Sequence, residues 1–337
     1  MSMAANEWAG KAPEMQELPA ALAKAPGERR RALIVPREHG AWGLLLVPLV
    51  TGAGVGLREG DRILPLLLLL TAALALFWLR TPVESLLGTS AIRAQTKEER
   101  RSVAIVIVGL GAVAFLAVAS LLWAGRNRGL WLIGGLAGFA FLAQAMIKQL
   151  GRQTRMMSEI VGTVGLSLSA PAAYYVSVGK LDATAWMLWL LNLMFAGNQI
   201  HYVQLRIHTA RLGGARARWA RGWSFALGQI AMLAALGFAW SRGLIPWVVL
   251  IAFVPLFFRG CYYFFRKPAP LLVRRLGWRE LAQAVAFCFL LICLVSSLER
   301  PYGTITAAPS IASFLTAIKA SFAWSRENTF TLGRRPI

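Results

Sequence analysis

The chain has 337 residues, of which 57% are hydrophobic and only 15% charged, with 36 Lys and Arg against 15 Asp and Glu. A soluble domain carries about 25% charged residues to solvate its surface, so this shortfall excludes an ordinary soluble globule, and the apolar content excludes intrinsic disorder. Three cysteines exclude a disulfide scaffold, which leaves a polytopic membrane protein with a formal charge of +21.

Residues 1–35 are rich in Ala, Pro, Glu and Lys and contain no apolar run, so a disordered cytoplasmic tail is expected there and not a cleaved signal peptide. About 20 apolar residues cross roughly 30 Å of hydrocarbon. Runs of that kind fall at 41–57, 63–79, 103–125, 129–147, 157–179, 183–205, 223–241, 245–265 and 280–298. The expectation is an all-α transmembrane bundle of about nine spans over residues 36–299, followed by an extracytoplasmic tail, 300–337, with a weakly amphipathic segment near Ile311–Phe322. The first tail and alternate loops hold 25 Lys and Arg, whereas the opposite loops hold 6. The positive-inside rule then puts the N terminus inside and the C terminus outside, and explains the basic excess without nucleic acid.

Polar residues are taken in the same order. Ahead of the first span lies Val35-Pro36-Arg37-Glu38-His39-Gly40-Ala41-Trp42-Gly43. Pro36 can open a helix, Glu38 suits its positive end, and a Glu-His pair can orient a metal-bound or hydrogen-bonded imidazole. After the second span comes Thr81-Pro-Val-Glu84-Ser-Leu-Leu-Gly88, with one acid. The fourth span ends in Lys148, Gln149, Arg152 and Arg155, and the fifth opens with Ser158-Glu159. The sixth ends in Asn198-Gln-Ile-His201-Tyr-Val-Gln204-Leu-Arg206-Ile-His208, where steps of three and seven residues bring Asn198, His201 and either Gln204 or His208 near one helical face. A basic, hydrogen-bonding cavity at the inner membrane face is expected from these groups, suited to a phosphate, a carboxylate or a metal-bound oxyanion. The competing account of each span-end cation is a snorkelling, topogenic charge.

Four acids, Glu38, Glu84, Glu159 and Glu280, border spans on the inner side, and none occupies the middle of a span. That placement argues against a proton or ion path across the midplane. Pro171 and Pro255 interrupt the fifth and eighth spans; in Ser167-Leu-Ser-Ala-Pro171 hydroxyls can satisfy freed carbonyls, so a structural kink is expected. Cys261, Cys288 and Cys293 show no CxxC spacing and read as buried apolar residues. No GxGxxG, P-loop, GxSxG or HExxH occurs, so nucleotide chemistry and serine or zinc hydrolysis have no support.

The string Pro36-Arg37-Glu38-His39-Gly40-Ala41-Trp42, followed by Pro48 and Gly52, resembles the opening of the YwiC-like family of bacterial integral membrane proteins. Glu159-Ile-Val-Gly162, Leu166-Ser-Leu-Ser-Ala-Pro171-Ala-Ala-Tyr174, Asn198 to Arg206 and Leu276-Gly-Trp-Arg-Glu280 extend the likeness over about residues 33–298. This resemblance implies a multi-pass protein of the bacterial inner (cytoplasmic) membrane. In helix order and orientation the chain is also similar to the UbiA superfamily of intramembrane prenyltransferases, in which Asp-rich motifs after the second and sixth spans hold Mg²⁺ for a prenyl diphosphate. Here the first counterpart carries only Glu84, and the second presents His201 and no acid.

Three functions follow. The first is a UbiA-like fold whose cytoplasm-facing polar cavity binds an anionic or isoprenoid small molecule without standard Mg²⁺-diphosphate chemistry, lined by Glu38, His39, Glu84, Lys148, Arg152, Glu159, Asn198, His201, Gln204 and Arg206. The second is an active prenyl or lipid transferase with Glu38, Glu84 and Glu159 as a metal set. The third is a respiratory accessory protein in which His39 and His201 ligate haem or a metal. For metal binding the candidates are Glu38, His39, Glu84 and His201, with Mg or haem as the cofactor.

Overall fold

The computed structural model describes residues 26–35, 39–60, 62–88, 92–125, 127–150, 154–210, 215–265 and 273–297. These residues form α1 (Pro26–Ile34), α2 (His39–Glu59), α3 (Ile63–Leu87), α4 (Lys97–Trp123), α5 (Asn127–Gln149), α6 (Arg155–Ser167), α7 (Ser169–Val178), α8 (Ala183–His208), α9 (Ala215–Ser241), a 3-10 turn over Trp247–Phe253, α10 (Val254–Phe265) and α11 (Val273–Ser297). Each expected span overlaps helix among the described residues. Among the described residues seven helical segments are long and apolar enough to cross a membrane: α3, α4, α5, α6 with α7, α9, the 3-10 turn with α10, and α11. Helices α2 and α8 fall outside that set. In α8 the cause is visible, because Asn192, Asn198, Gln199, His201, Gln204 and Arg206 dilute its apolar run.

The chain divides into two compact units. One comprises residues up to Arg37 with Leu74–Val113, and the other Glu38–Ala73 with everything from Ala114 onward. In the first unit, α1 lies within the segment expected to be a disordered tail. Its Leu33 is fully buried with Ala94 and Val103, and its last carbonyls are capped from α3. Trp78 Nε1 donates to the Ile34 carbonyl at 3.0 Å and Ser85 Oγ to the Leu33 carbonyl at 3.2 Å. Helix ends leave four carbonyls without intrahelical donors, so these two side chains supply what the helix lacks. Thr96 and Glu99 form a capping box at the start of α4: the Glu99 amide donates to Thr96 Oγ1 at 3.1 Å, and Glu99 Oε2 accepts from the Thr96 amide at 3.3 Å.

In the second unit α2 and α7 pack backbone to backbone. Gly52 and Gly56 of α2 and Gly60 directly after its end recur every four residues and form one stripe. A Cβ at Gly52 would collide with the Ala170 carbonyl, and one at Gly56 would lie 3.1 Å from the Tyr174 Cα. Small residues of this kind let helices approach where lipid offers no hydrophobic drive between them. The expected kink is a break: α6 ends at Ser167, α7 starts at Ser169, and Pro171 brings no N–H to the turn. Ser169 Oγ lies 2.8 Å from the Leu166 carbonyl and 3.2 Å from the Leu45 carbonyl of α2, so its single proton serves a carbonyl at the break. At Pro255 the backbone changes from 3-10 to α-helix. The core of this unit gathers Val55, Tyr174, Leu188, Leu191, Phe253, Leu256, Phe287 and Leu291 around α8.

Candidate functional site

Helix α8 carries most of the expected site, and its start is firmly set. Asp182 caps it, accepting from the Ala185 amide at 3.2 Å. Its other carboxylate oxygen lies 3.2 Å from Tyr174 Oη, which donates to Glu59 Oε2 at 2.6 Å. Deeper in the bundle Asn192, fully buried, donates to Thr51 Oγ1 of α2 at 2.9 Å and to the Leu188 carbonyl at 2.8 Å. These ties hold α8 against α2 and α7 and fix which residues its far half presents to α9, α10 and α11.

The far half does not aim Asn198, His201 and Gln204 at one point. Each step of three residues turns a helix by about −60°, so Asn198 and Gln204 differ by about 120°. Gln204 Nε2 donates to Glu159 Oε2 of α6 at 3.2 Å. His201 stands edge-on to Phe225 of α9, ring centroids 5.3 Å apart, above Gly228, where a Cβ would lie 3.0 Å from its Nδ1. Asn198 Oδ1 accepts from Arg259 Nη2 of α10 at 2.9 Å. One expected cluster is thus three contacts with three different helices. His208 is exposed, its Nδ1 2.7 Å from the Gln204 carbonyl.

The face shared by Asn198, Tyr202 and Leu205 meets a set of residues that the sequence reading did not select. Arg259 forms a charge-assisted pair with Glu280 of α11, while its guanidinium carbon lies 4.0 Å above the Tyr202 ring. Gln199 Nε2 donates to the Glu280 carbonyl at 3.0 Å, which ties α8 to α11 a second time. One turn along α10, Tyr263 meets Tyr202 edge-on at 6.2 Å and donates through its hydroxyl to Thr209 Oγ1. Arg206 lies 5.7 Å from the Tyr263 ring, and Arg218 of α9, itself buried, reaches the Tyr263 carbonyl at 3.5 Å. Three guanidinium groups from α8, α9 and α10 therefore converge on two tyrosines, with Glu280 the acid that the described contacts place among them. A signal for this was present: Arg259 is the only charged residue of α10 and Glu280 the only acid of α11, and isolated charges in apolar helices need partners.

The remaining expected residues are distributed otherwise. Glu84 lies in the first unit, where it accepts from Arg80 Nε at 3.0 Å, one helical turn away. Lys148 is exposed in the last turn of α5. Glu38 and Arg152 lie outside the described residues, as does the side chain of His39. Among the described residues no three His, Cys, Asp or Glu side chains gather as a metal site. Cys288 is buried as expected, but Cys261 is exposed on α10 and Cys293 half-buried.

Comparison with known proteins agrees with the motif at the start of α2. A family model described as YwiC-like protein matches residues 35–174, which includes the Pro36–Trp42 string, the glycine stripe and the α6–α7 break. A protein of Bacillus subtilis (strain 168) named "Uncharacterized protein YwiC" is 24% identical over 272 residues, 79% of this chain and 99% of that protein. No solved structure matches the chain. Through residues 35–174 the chain is similar to the YwiC-like family.

Proposed function

We propose that this YwiC-like membrane protein binds an amphipathic anion, a phosphate or carboxylate carried on an isoprenoid or other lipid tail, at the end of the bundle where α8, α9 and α10 meet. The observation that carries the reading is the convergence of Arg206, Arg218 and Arg259 on Tyr202 and Tyr263. Arg259 is neutralised by Glu280, so the cluster keeps a surplus of positive charge beside apolar helices. Guanidinium groups recognise phosphate and carboxylate oxygens through paired N–H donors, and their faces stack on aromatic rings, which holds them ready while leaving N–H edges to bind. Beside the cluster the exposed Trp219 offers apolar surface to a tail, backed by the buried Phe264 at 4.4 Å, while buried Phe225 meets Tyr202 at 5.8 Å. The resemblance of the sequence's helix order to UbiA-type bundles supports an isoprenoid tail, and the distribution of basic loops supports an inner-face placement.

The test uses the purified full-length chain in neutral detergent with farnesyl phosphate, farnesol and inorganic phosphate as probes, alongside mass spectrometry of its lipid extract. Farnesyl phosphate is expected to be retained and farnesol lost. Arg206→Ala should weaken retention roughly tenfold or more, the loss of one charged hydrogen bond. Equal retention of farnesol, or no retention of either, overturns the reading.

A further inference from the structure

The first unit carries a second concentration of cations whose geometry the proposed ligand site does not use. Arg29 reaches across to residues 93–99: its Nε donates to Glu99 Oε1 at 2.6 Å, and its Nη2 to Gln95 Oε1 at 3.0 Å and to the Arg93 carbonyl at 3.3 Å. This clasp lays α1 against the 93–99 segment, which is 64 to 70 residues away in sequence. The consequence is a composite surface. Arg30 and Arg31 from α1, with Arg93 from the segment before α4 and Lys97, Arg100 and Arg101 from its first turns, are all exposed, and the exposed acids in the two segments are Glu28 and Glu98.

We infer that this surface docks on the anionic headgroups of a lipid bilayer. Gathering like charges is unfavourable unless a counter-charge meets them, and orientation alone would require only that the cations be present, not that a clasp bring two runs together. Position points to lipid. Helix α4 is long and apolar enough to span a membrane and is continuously apolar from Val103, two residues beyond Arg101, so the patch lies within about one turn of hydrocarbon. Composition points the same way, since residues 26–35 and 92–101 hold no aromatic ring on which a nucleic-acid base could stack.

The full-length chain in neutral micelles is titrated with phosphatidylglycerol, phosphatidylcholine and inorganic phosphate, with native mass spectrometry counting retained lipid and a thermal melt reading stability. Phosphatidylglycerol is expected to bind and raise the melting point, phosphatidylcholine and phosphate to do neither, and the effect to fade as salt rises to about 0.5 M. The quadruple variant Arg30→Gln, Arg31→Gln, Lys97→Gln, Arg101→Gln should weaken phosphatidylglycerol binding by hundreds-fold, about fivefold per cation removed. It should keep its farnesyl phosphate binding, which separates this surface from the α8–α10 cluster. If the quadruple variant fails to fold, the Arg30→Gln, Arg31→Gln pair on exposed α1 positions is expected to weaken binding about 25-fold on the same arithmetic. Undiminished phosphatidylglycerol binding in either folded variant overturns the inference, as does an equal gain from phosphate alone. Displacement of phosphatidylglycerol by single-stranded RNA would assign the patch to nucleic acid and also overturn it.

Discussion

The contact between α2 and α7 and the contact of α8 with α10 and α11 are both buried, yet they hold by opposite means. The first is built from absence of side chain: Gly52, Gly56 and Gly60 let the α7 backbone come within van der Waals reach. The second is built from excess of side chain, with Arg259, Glu280, Asn198 and Tyr202 filling the space and pairing their polar atoms. In a bilayer neither contact gains from excluding water, because lipid is as apolar as leucine, so close dispersion contact and paired polar groups are the two available sources of helix association. The comparison teaches where chemistry can sit. A glycine stripe has no group to offer a ligand, whereas the contact of α8 with α10 keeps guanidinium groups beside aromatic faces.

The contrast can be broken from either side. The largest effect is expected from Glu280→Gln, which leaves Arg259 buried without its counter-charge and should destabilise the protein by about 3–5 kcal/mol, read as a fall in the denaturation midpoint in detergent. A midpoint unchanged from wild type would show that the pair contributes nothing. Next is Gly52→Ala: the new Cβ meets the Ala170 carbonyl, which is backbone and cannot rotate away, so a loss of about 1–3 kcal/mol is expected, with a larger loss for Gly52→Val. If both variants melt like wild type, the α2–α7 approach is looser than described. Asp182→Ala removes the α8 cap and one partner of Tyr174 and should cost about 1 kcal/mol, whereas Asp182→Asn, which keeps a capping oxygen, should cost less. The smallest net change is expected for the paired replacement Arg259→Leu with Glu280→Leu. Removing both charges at once avoids the unpaired state, so stability should return to within about 1 kcal/mol of wild type while farnesyl phosphate retention falls. A double variant as unstable as Glu280→Gln would mean that the hydrogen bond from Arg259 to Asn198 matters more than the ion pair.

Much of the helical layout was legible because hydrophobic run length alone reports it. All nine apolar runs overlap helix among the described residues, and the break at Pro171 was signalled by a residue without an N–H beside serines. Helix α1 was not legible, since Pro26–Ile34 has no apolar face and owes its place to Leu33 and to the Arg29 clasp. The candidate site was legible in part. Asn198, His201, Gln204, Glu159 and Arg206 were singled out as polar residues near one span end, and Asn198 and Arg206 do join the arginine–tyrosine cluster. Arg259, Glu280, Tyr202, Tyr263 and Arg218 were missed, because in sequence they lie on four helices and look like span-end charges or ordinary aromatic packing.

What this sequence determined by itself is the class of protein and its helical segments, because transfer of apolar side chains and satisfaction of backbone hydrogen bonds depend on local composition. The short motif from Pro36 to Trp42 likewise carried the likeness to the YwiC-like family without reference to any fold. Which polar side chains share a site was decided only by the tertiary structure. A three-residue step swings a helical side chain by about 60°, so the partner of each group depends on which neighbouring helix lies in that direction. That choice rests on long-range contacts such as Gly52 against Ala170 and Asn192 against Thr51, which no local pattern records.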